Sequence, residues 1–106
     1  MSLYPVNDIL VSVCVVTYNH GKYIGTCLDH ILRQRRKFRI EILIHDDAST
    51  DGAQEVIRAY QKRYPDIIKP ILRVENQYSQ GITNISGAFN FPRAVGKYIA
   101  LTDGDD

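Results

Sequence analysis

The chain has 106 residues, 44% hydrophobic and 24% charged, with a formal net charge of +1. That length suits one small domain, and the composition is that of a soluble globular protein. The balanced charge gives no global basic field for nucleic acid. No apolar run approaches the roughly 20 residues that span a bilayer, and Met1-Ser-Leu-Tyr-Pro5 lacks the basic start and apolar core of a secretory signal. Residues 1–8 read as a leader, in part vector-derived at its start, and residues 9–106 as the folded part. Cys14 and Cys27 make neither a disulfide framework nor a zinc motif; both fall on apolar patterns, which suits core packing in a reducing cytoplasm.

Val11-Ser-Val-Cys-Val-Val-Thr17 is a β-branched run bounded by turn residues and predicts a buried strand. Tyr18-Asn19-His20-Gly21 has turn composition. Ile24, Cys27, Leu28, Ile31 and Leu32 recur at helical spacing and define one core face of a helix. The basic run Arg33-Gln-Arg-Arg-Lys-Phe-Arg39 follows, where a helix dipole favours cations. A solvated helix end is its default reading, and a weak peripheral association with an anionic membrane surface is the alternative. Ile40-Glu-Ile-Leu-Ile-His45 predicts a second buried strand that runs into Asp46-Asp47-Ala-Ser-Thr-Asp51-Gly52. Asp51 and Gln54 have capping-box spacing, with Thr50 a rival N-cap. Ala53, Val56, Ile57, Tyr60 and Tyr64 share one face of a second helix, which Pro65 ends.

Ile67 to Arg73 predicts a third strand, and Pro70 gives it an edge position. Glu75 to Gly81 is a polar loop. A short helix is expected near Thr83–Phe89, then an irregular turn, then a last strand over Tyr98–Thr102. The alternation predicts an α/β fold: a mostly parallel, Rossmann-like sheet with helices on both faces. Ligands of such sheets bind at the C-terminal strand ends. Three polar clusters fall there: Thr17-Tyr18-Asn19, Asp46-Asp47 and Asp103-Gly-Asp-Asp106.

No glycine-rich phosphate loop follows the first strand, so a dinucleotide or P-loop site is disfavoured. The rim is acidic, and its carboxylates are suitable oxygen ligands for Mg²⁺ or Mn²⁺. A nucleotide there requires a divalent cation between carboxylate and phosphate. Bland alternatives stay open for each cluster. Asp103 to Asp106 also reads as a solvated acidic end, and Asp46 and Asp47 as turn and N-cap residues. His45 reads as a hydrogen-bonded structural residue or a metal ligand, and Tyr18 and Tyr23 as packing or as base-stacking groups.

Val11-Ser-Val-Cys-Val-Val-Thr-Tyr-Asn19, Asp46-Asp-Ala-Ser-Thr-Asp51 and Gly96-Lys-Tyr-Ile-Ala-Leu-Thr-Asp-Gly-Asp-Asp106 occur in an order and spacing that resemble a known family. The chain is similar to the N-terminal, nucleotide-binding half of an inverting GT-A glycosyltransferase of family 2, an enzyme class of polysaccharide and glycan biosynthesis. The resemblance implies that Thr17, Tyr18 and Asn19 border the nucleoside and that Asp47 bonds the base, with a UDP-sugar as the expected donor. It implies that Asp103 approaches the ribose or the metal, and that Asp105, supported by Asp106, binds Mn²⁺ or Mg²⁺ on the diphosphate.

It also implies departures. Ala48 stands where glycine is common, tolerated if φ stays negative, and Asn84 and Arg93 have no matched role. The catalytic base and acceptor site are expected beyond Asp106, so the chain reads as truncated after the D-x-D motif, binding nucleotide without transferring sugar to its unknown acceptor. It is expected to sit in the cytoplasm or at the inner membrane face. The outer edge of the last strand is an apolar pairing hazard that predicts self-association. A phosphorylation-switched receiver domain and a non-catalytic binding module are the rival readings.

Overall fold

The computed structural model describes residues 9–82 and 89–103, with the backbone alone at Arg36 and Asp103. Strand β1 (Val11–Thr17) leads to helix α1 (Ile24–Arg33), strand β2 (Ile40–Asp46), helix α2 (Ala53–Arg63), strand β3 (Ile68–Leu72) and strand β4 (Tyr98–Asp103). The strands form one sheet in the order β3-β2-β1-β4, and every pairing is parallel. Pro70 lies in β3 at one edge, where its missing N–H removes no needed ladder bond.

Helices α1 and α2 pack on the same sheet face. Val13 and Val15 of β1 and Ile40, Ile42 and Ile44 of β2 pack against Ile24, Leu28 and Leu32 of α1 and Ala53 and Ile57 of α2. Each of these valine, leucine and isoleucine side chains contributes about 1.5–3 kcal/mol when fully buried. The opposite face, with Ser12, Cys14, Glu41, Leu43 and His45, is buried as well. The segment after Phe89 covers it. Asn90 donates to the Val15 carbonyl (3.2 Å), Arg93 to the Ile44 carbonyl (3.1 Å), and the Val95 amide to Glu41 (2.8 Å). Burial on both faces is why all seven residues of β2 are inaccessible and why its sequence lacks strand alternation.

The short helix expected at Thr83–Phe89 lies outside the described residues except for Phe89. A 3₁₀ turn at Phe91–Arg93 follows, with Pro92 in its first positions, where no N–H is needed. The Arg33–Arg39 run closes α1. Arg35 donates to the Leu32 carbonyl at 2.8 Å and its guanidinium lies 5.3 Å from the Tyr64 ring centroid, so part of this cluster completes the helix end. No helix among the described residues is long and apolar enough to cross a membrane.

The capping box expected of Asp51 and Gln54 does not form. Gly52 takes φ +92° at the N-cap, with no side-chain cap. Asp51 instead accepts from the Ala53 amide (3.1 Å) and from the Gly21 amide at the start of the α1 turn (2.8 Å). Gln54 turns away to Asp46 (2.8 Å) and the Arg73 carbonyl (2.9 Å), because a buried carboxylate is the stronger acceptor.

Far from the strand C-termini, Glu41 is fully buried and collects three donors: Ser12 Oγ (2.5 Å), Lys69 Nζ (2.7 Å) and the Val95 amide (2.8 Å). Ser12 Oγ accepts in turn from the Gly96 amide (2.7 Å). This network ties β1, β2 and β3 to the turn that launches β4. Among the described residues no strand pairs with the outer edge of β4, and Tyr98, Ile99 and Leu101 are exposed there.

Candidate functional site

The chain steps from β1 to β2 to β3 in one direction, then returns to place β4 on the other side of β1. That reversal makes the C-terminal ends of β1 and β4 the switch point at which such sheets open a crevice. Thr17 of β1 pairs with Asp46 of β2, and Val16 with Asp103 of β4, so the first two polar clusters and the Asp103 backbone that begins the third share one rim.

The two adjacent aspartates have different tasks. Asp46 points to the α2 side, where it accepts from the Ser49 amide (2.9 Å), the Ser49 hydroxyl (2.5 Å) and Gln54, and thereby shapes the turn. Asp47 points to the other side. Its Oδ1 accepts from the Gln77 amide (2.7 Å) and His45 Nε2 (3.2 Å), and its Oδ2 from the Tyr78 amide (3.0 Å). Burial opposes its ionisation. The Gln77 and Tyr78 amides, with His45, outweigh burial and hold the carboxyl below its ordinary range, so it is charged at neutral pH. Oδ2 keeps acceptor capacity, since a carboxylate oxygen has two lone pairs.

Asp47 borders a cleft of about 400 Å³, with Val16, Tyr18, Asn76, Tyr78 and Ser79 as its other walls. Tyr18 and Tyr78 are 48% and 62% exposed, so both aromatic side chains are accessible at its wall. Thr17 is buried, with its hydroxyl 3.1 Å from His20 Nδ1 and its carbonyl accepting from the Asp47 amide (2.9 Å). Asn19, at φ +55°, joins the β1 and β2 turns: its amide donates to Ser49 Oγ (2.9 Å) and its Oδ1 accepts from the Thr50 amide (2.8 Å). Of the three residues expected beside a nucleoside, Tyr18 lines the cleft, whereas Thr17 and Asn19 hold the turns that frame it.

Ala48 corrects an expectation: its φ is +67°, not negative. The turn from Asp47 must swing so that Ser49 can reach back to Asp46, and a left-handed residue provides the swing at a cost of about 1–2 kcal/mol for a non-glycine. Ala48→Gly is therefore expected to raise stability by about 1 kcal/mol, read as a higher urea midpoint.

His45 is the hydrogen-bonded structural residue of the two alternatives. Its ring stacks on Phe89 with centroids 4.8 Å apart, and the Arg73 guanidinium lies 4.2 Å from the same Phe89 centroid. Burial lowers the His45 pKa, against the opposing pull of Asp47, so the ring is neutral.

The loop of residues 75–81 supplies two Asp47 donors and most of one cleft wall. The sequence offered one signal for its shape, the Asn76–Ser79 spacing: Ser79 donates through its amide to Asn76 Oδ1 (2.7 Å) and through its hydroxyl to the Asn76 carbonyl (3.0 Å). Gly81, at φ +96°, ends the turn.

Among the described residues no three His, Cys, Asp or Glu side chains gather to hold a metal. The Asp103 backbone ends β4 at the rim, while Asp105 and Asp106 lie outside the described residues. The segment Asp103-Gly-Asp-Asp106 offers carboxylates alone, a donor set that fits a hard divalent cation.

An all-parallel α/β sheet with an acidic rim at its switch point defines a Rossmann-like domain of the GT-A type. It matches the solved structure of a mannosyltransferase from Pyrobaculum calidifontis, in complex with GDP-Man and Mn²⁺, with a TM-score of 0.70 and 29% identity over 96% of this chain and 30% of that one. Residues 12–106 match the Glycosyl transferase family 2 model, and the chain belongs to that family. An uncharacterised glycosyltransferase of Nostoc sp. is 41% identical over 98 residues, covering 91% of this chain and 28% of that protein. The glycosyltransferase GlyG of Streptococcus pneumoniae is 36% identical over 97 residues, covering 92% and 30%. An uncharacterised protein of Mycobacterium tuberculosis is 40% identical over 100 residues, covering 91% and 27%. The chain thus spans less than a third of the length of these relatives.

Proposed function

We propose that this chain is the donor-binding part of a glycosyltransferase that moves a sugar from a nucleoside-diphosphate sugar to an acceptor hydroxyl with inversion. The observation that carries the reading is the cleft at the switch point, which an ionised Asp47 borders together with the exposed Tyr18 and Tyr78. A flat base suits a site with exposed aromatic side chains, and the Asp47 carboxylate is the acceptor for a base N–H. Uracil and guanine both present one. UDP is the expected donor nucleotide, and GDP, whose mannose conjugate the Pyrobaculum enzyme binds, is the rival.

Asp103 and Asp105 would hold a Mn²⁺ or Mg²⁺, which supplies charge neutralisation at the donor diphosphate. Acceptor binding and proton removal are assigned to no residue of this chain, so the 106 residues alone are expected to bind nucleotide without turnover.

Titration calorimetry tests this. UDP is expected to bind with Mn²⁺ and to lose most of its affinity in EDTA. Asp47→Asn, which replaces an anionic acceptor, is expected to weaken binding about tenfold or more. Equal affinity with and without metal, and in both proteins, contradicts the reading. The exposed β4 edge gives a second expected outcome: self-association that rises with concentration in sedimentation and falls in Leu101→Lys, since Leu101 is 64% exposed. A monomer at every concentration contradicts it.

A further inference from the structure

We propose that His45 is a positioning residue for the nucleotide cleft: from beneath, it locks the Asp47 carboxylate in its place at the cleft wall. The inference rests on the nucleotide reading of that cleft and adds a residue that no cleft surface reveals, since His45 is completely buried.

Three observations carry it. First, Asp47 takes its other two donors, the Gln77 and Tyr78 amides, from the surface loop that also forms the cleft wall. Those bonds tie the carboxylate to the loop. The bond from His45 Nε2 to Oδ1 (3.2 Å) is the one that ties it to β2, the strand inaccessible on both faces. A carboxylate held only by a loop turns with that loop; one held by the sheet does not.

Second, the direction of that bond fixes the ring. Asp47 Oδ1 is an acceptor, so Nε2 carries the proton of the neutral imidazole and Nδ1 is left as an acceptor. Nδ1 is buried and finds no partner among the described residues. A buried polar atom without a partner costs about 1–3 kcal/mol, a cost that an aliphatic residue at position 45 avoids. The hydrogen-bonding capacity that His45 does use goes to the cleft carboxylate.

Third, the ring plane is set independently of that bond. His45 stacks on Phe89 with an interplanar angle of 22°. The stack holds the plane from the segment that covers the sheet, so Nε2 is aimed before any ligand arrives. Orientation of Asp47 is thereby pre-set, which is how a buried partner improves binding without touching the ligand.

Two substitutions separate the hydrogen bond from the packing. His45→Gln keeps an N–H near the position of Nε2 and loses the aromatic stack. His45→Phe keeps an aromatic ring beside Phe89 and loses the donor. Calorimetry with UDP and GDP, each with MnCl₂, is run on the native chain, both variants and Asp47→Asn, with melting temperatures recorded for all.

The expected result is that His45→Gln binds within about threefold of the native chain. His45→Phe is expected to bind about tenfold more weakly, as for loss of a hydrogen bond to a charged group, even where its melting temperature is the higher of the two. Nitrogen-15 spectra of the native chain are expected to show His45 protonated at Nε2 alone.

Several results overturn the inference by itself while the nucleotide reading stands: native-like affinity in His45→Phe beside a weakened Asp47→Asn, affinities that follow melting temperature instead of the donor, or a proton on Nδ1. No binding of either nucleotide by the native chain, or equal binding by Asp47→Asn, overturns the nucleotide reading and this inference with it.

Discussion

Gly96→Ala is expected to destabilise the fold by about 3 kcal/mol or more, at the upper end of what overpacking costs. A Cβ on Gly96 would lie 2.6 Å from both the amide nitrogen and the hydroxyl oxygen of Ser12 and 2.9 Å from the Val11 carbonyl carbon. Two of these three atoms are backbone of β1, which is paired on both sides and has nowhere to move. The Gly96 amide also donates to Ser12 Oγ, so any shift that relieves the clash breaks the bond that seats the β4 turn. The measurement is a urea unfolding curve, in which the midpoint should fall with little change in slope. Gly81→Ala is the control for glycine loss alone. A Cβ there meets nothing within 4 Å, and its penalty comes from φ +96°. A larger loss at Gly81 than at Gly96 would contradict the close-packing account.

Glu41→Ala is expected to cost about 3 kcal/mol, the low end of the range for breaking a buried ionic network. The low end applies because the Lys69 side chain is 42% exposed and can return its charge to water. The fully buried Ser12 hydroxyl cannot, and is left without its acceptor. The same carboxylate gives a pH dependence. Burial pushes its pKa up, but Lys69, Ser12 and the Val95 amide together hold it below the ordinary 4.5. Below pH 4.5 the unfolded chain takes up the proton first, so this contribution is complete above that pH and declines as pH falls through the lower folded value. Unfolding free energies measured between about pH 6 and about pH 3.5 should decline less steeply in Glu41→Ala than in the native chain. Parallel slopes in the two proteins would contradict it.

The strands were legible because β-branched runs bounded by turn residues report burial directly. Val11–Thr17 matches the expected strand, and the second strand runs one residue further, to Asp46. The shared rim was legible too, because parallel strands bring their C-termini together whatever lies between them. The division of labour within that rim was not. Asp46 and Asp47 are adjacent and identical, and only the pleat decides that one faces α2 and the other the cleft.

Nor do the partners of Asp47 appear near it in sequence: Gln77 and Tyr78 stand 30 and 31 positions away, in a stretch that reads simply as a polar loop. Glu41 is hidden in the same way. Within an apolar strand it gives no sign of meeting Lys69 and Val95 across the fold. At Ala48 and Asp51 the local rules themselves yielded. A left-handed alanine and an unformed capping box both follow from Ser49 and Gln54 reaching back to Asp46, a pull that spacing cannot express.

In the proposed function the cleft bordered by Tyr18, Asp47 and Tyr78 receives a nucleoside diphosphate. A second cleft of about 350 Å³ lies at the far end of the sheet, between Ile9, Arg35, Arg39, Ile40, Asp66 and Ile67, and its arginines give an anion a competing destination. Amide chemical-shift mapping of the nitrogen-15-labelled chain with UDP and MgCl₂, and with GDP in parallel, separates the two. Saturable shifts are expected at Tyr18, Asp47 and Asn76 to Ser79, with Arg35 and Arg39 unmoved. Shifts confined to Arg35, Arg39 and Ile67, or no shift at Asp47 for either nucleotide, would contradict it.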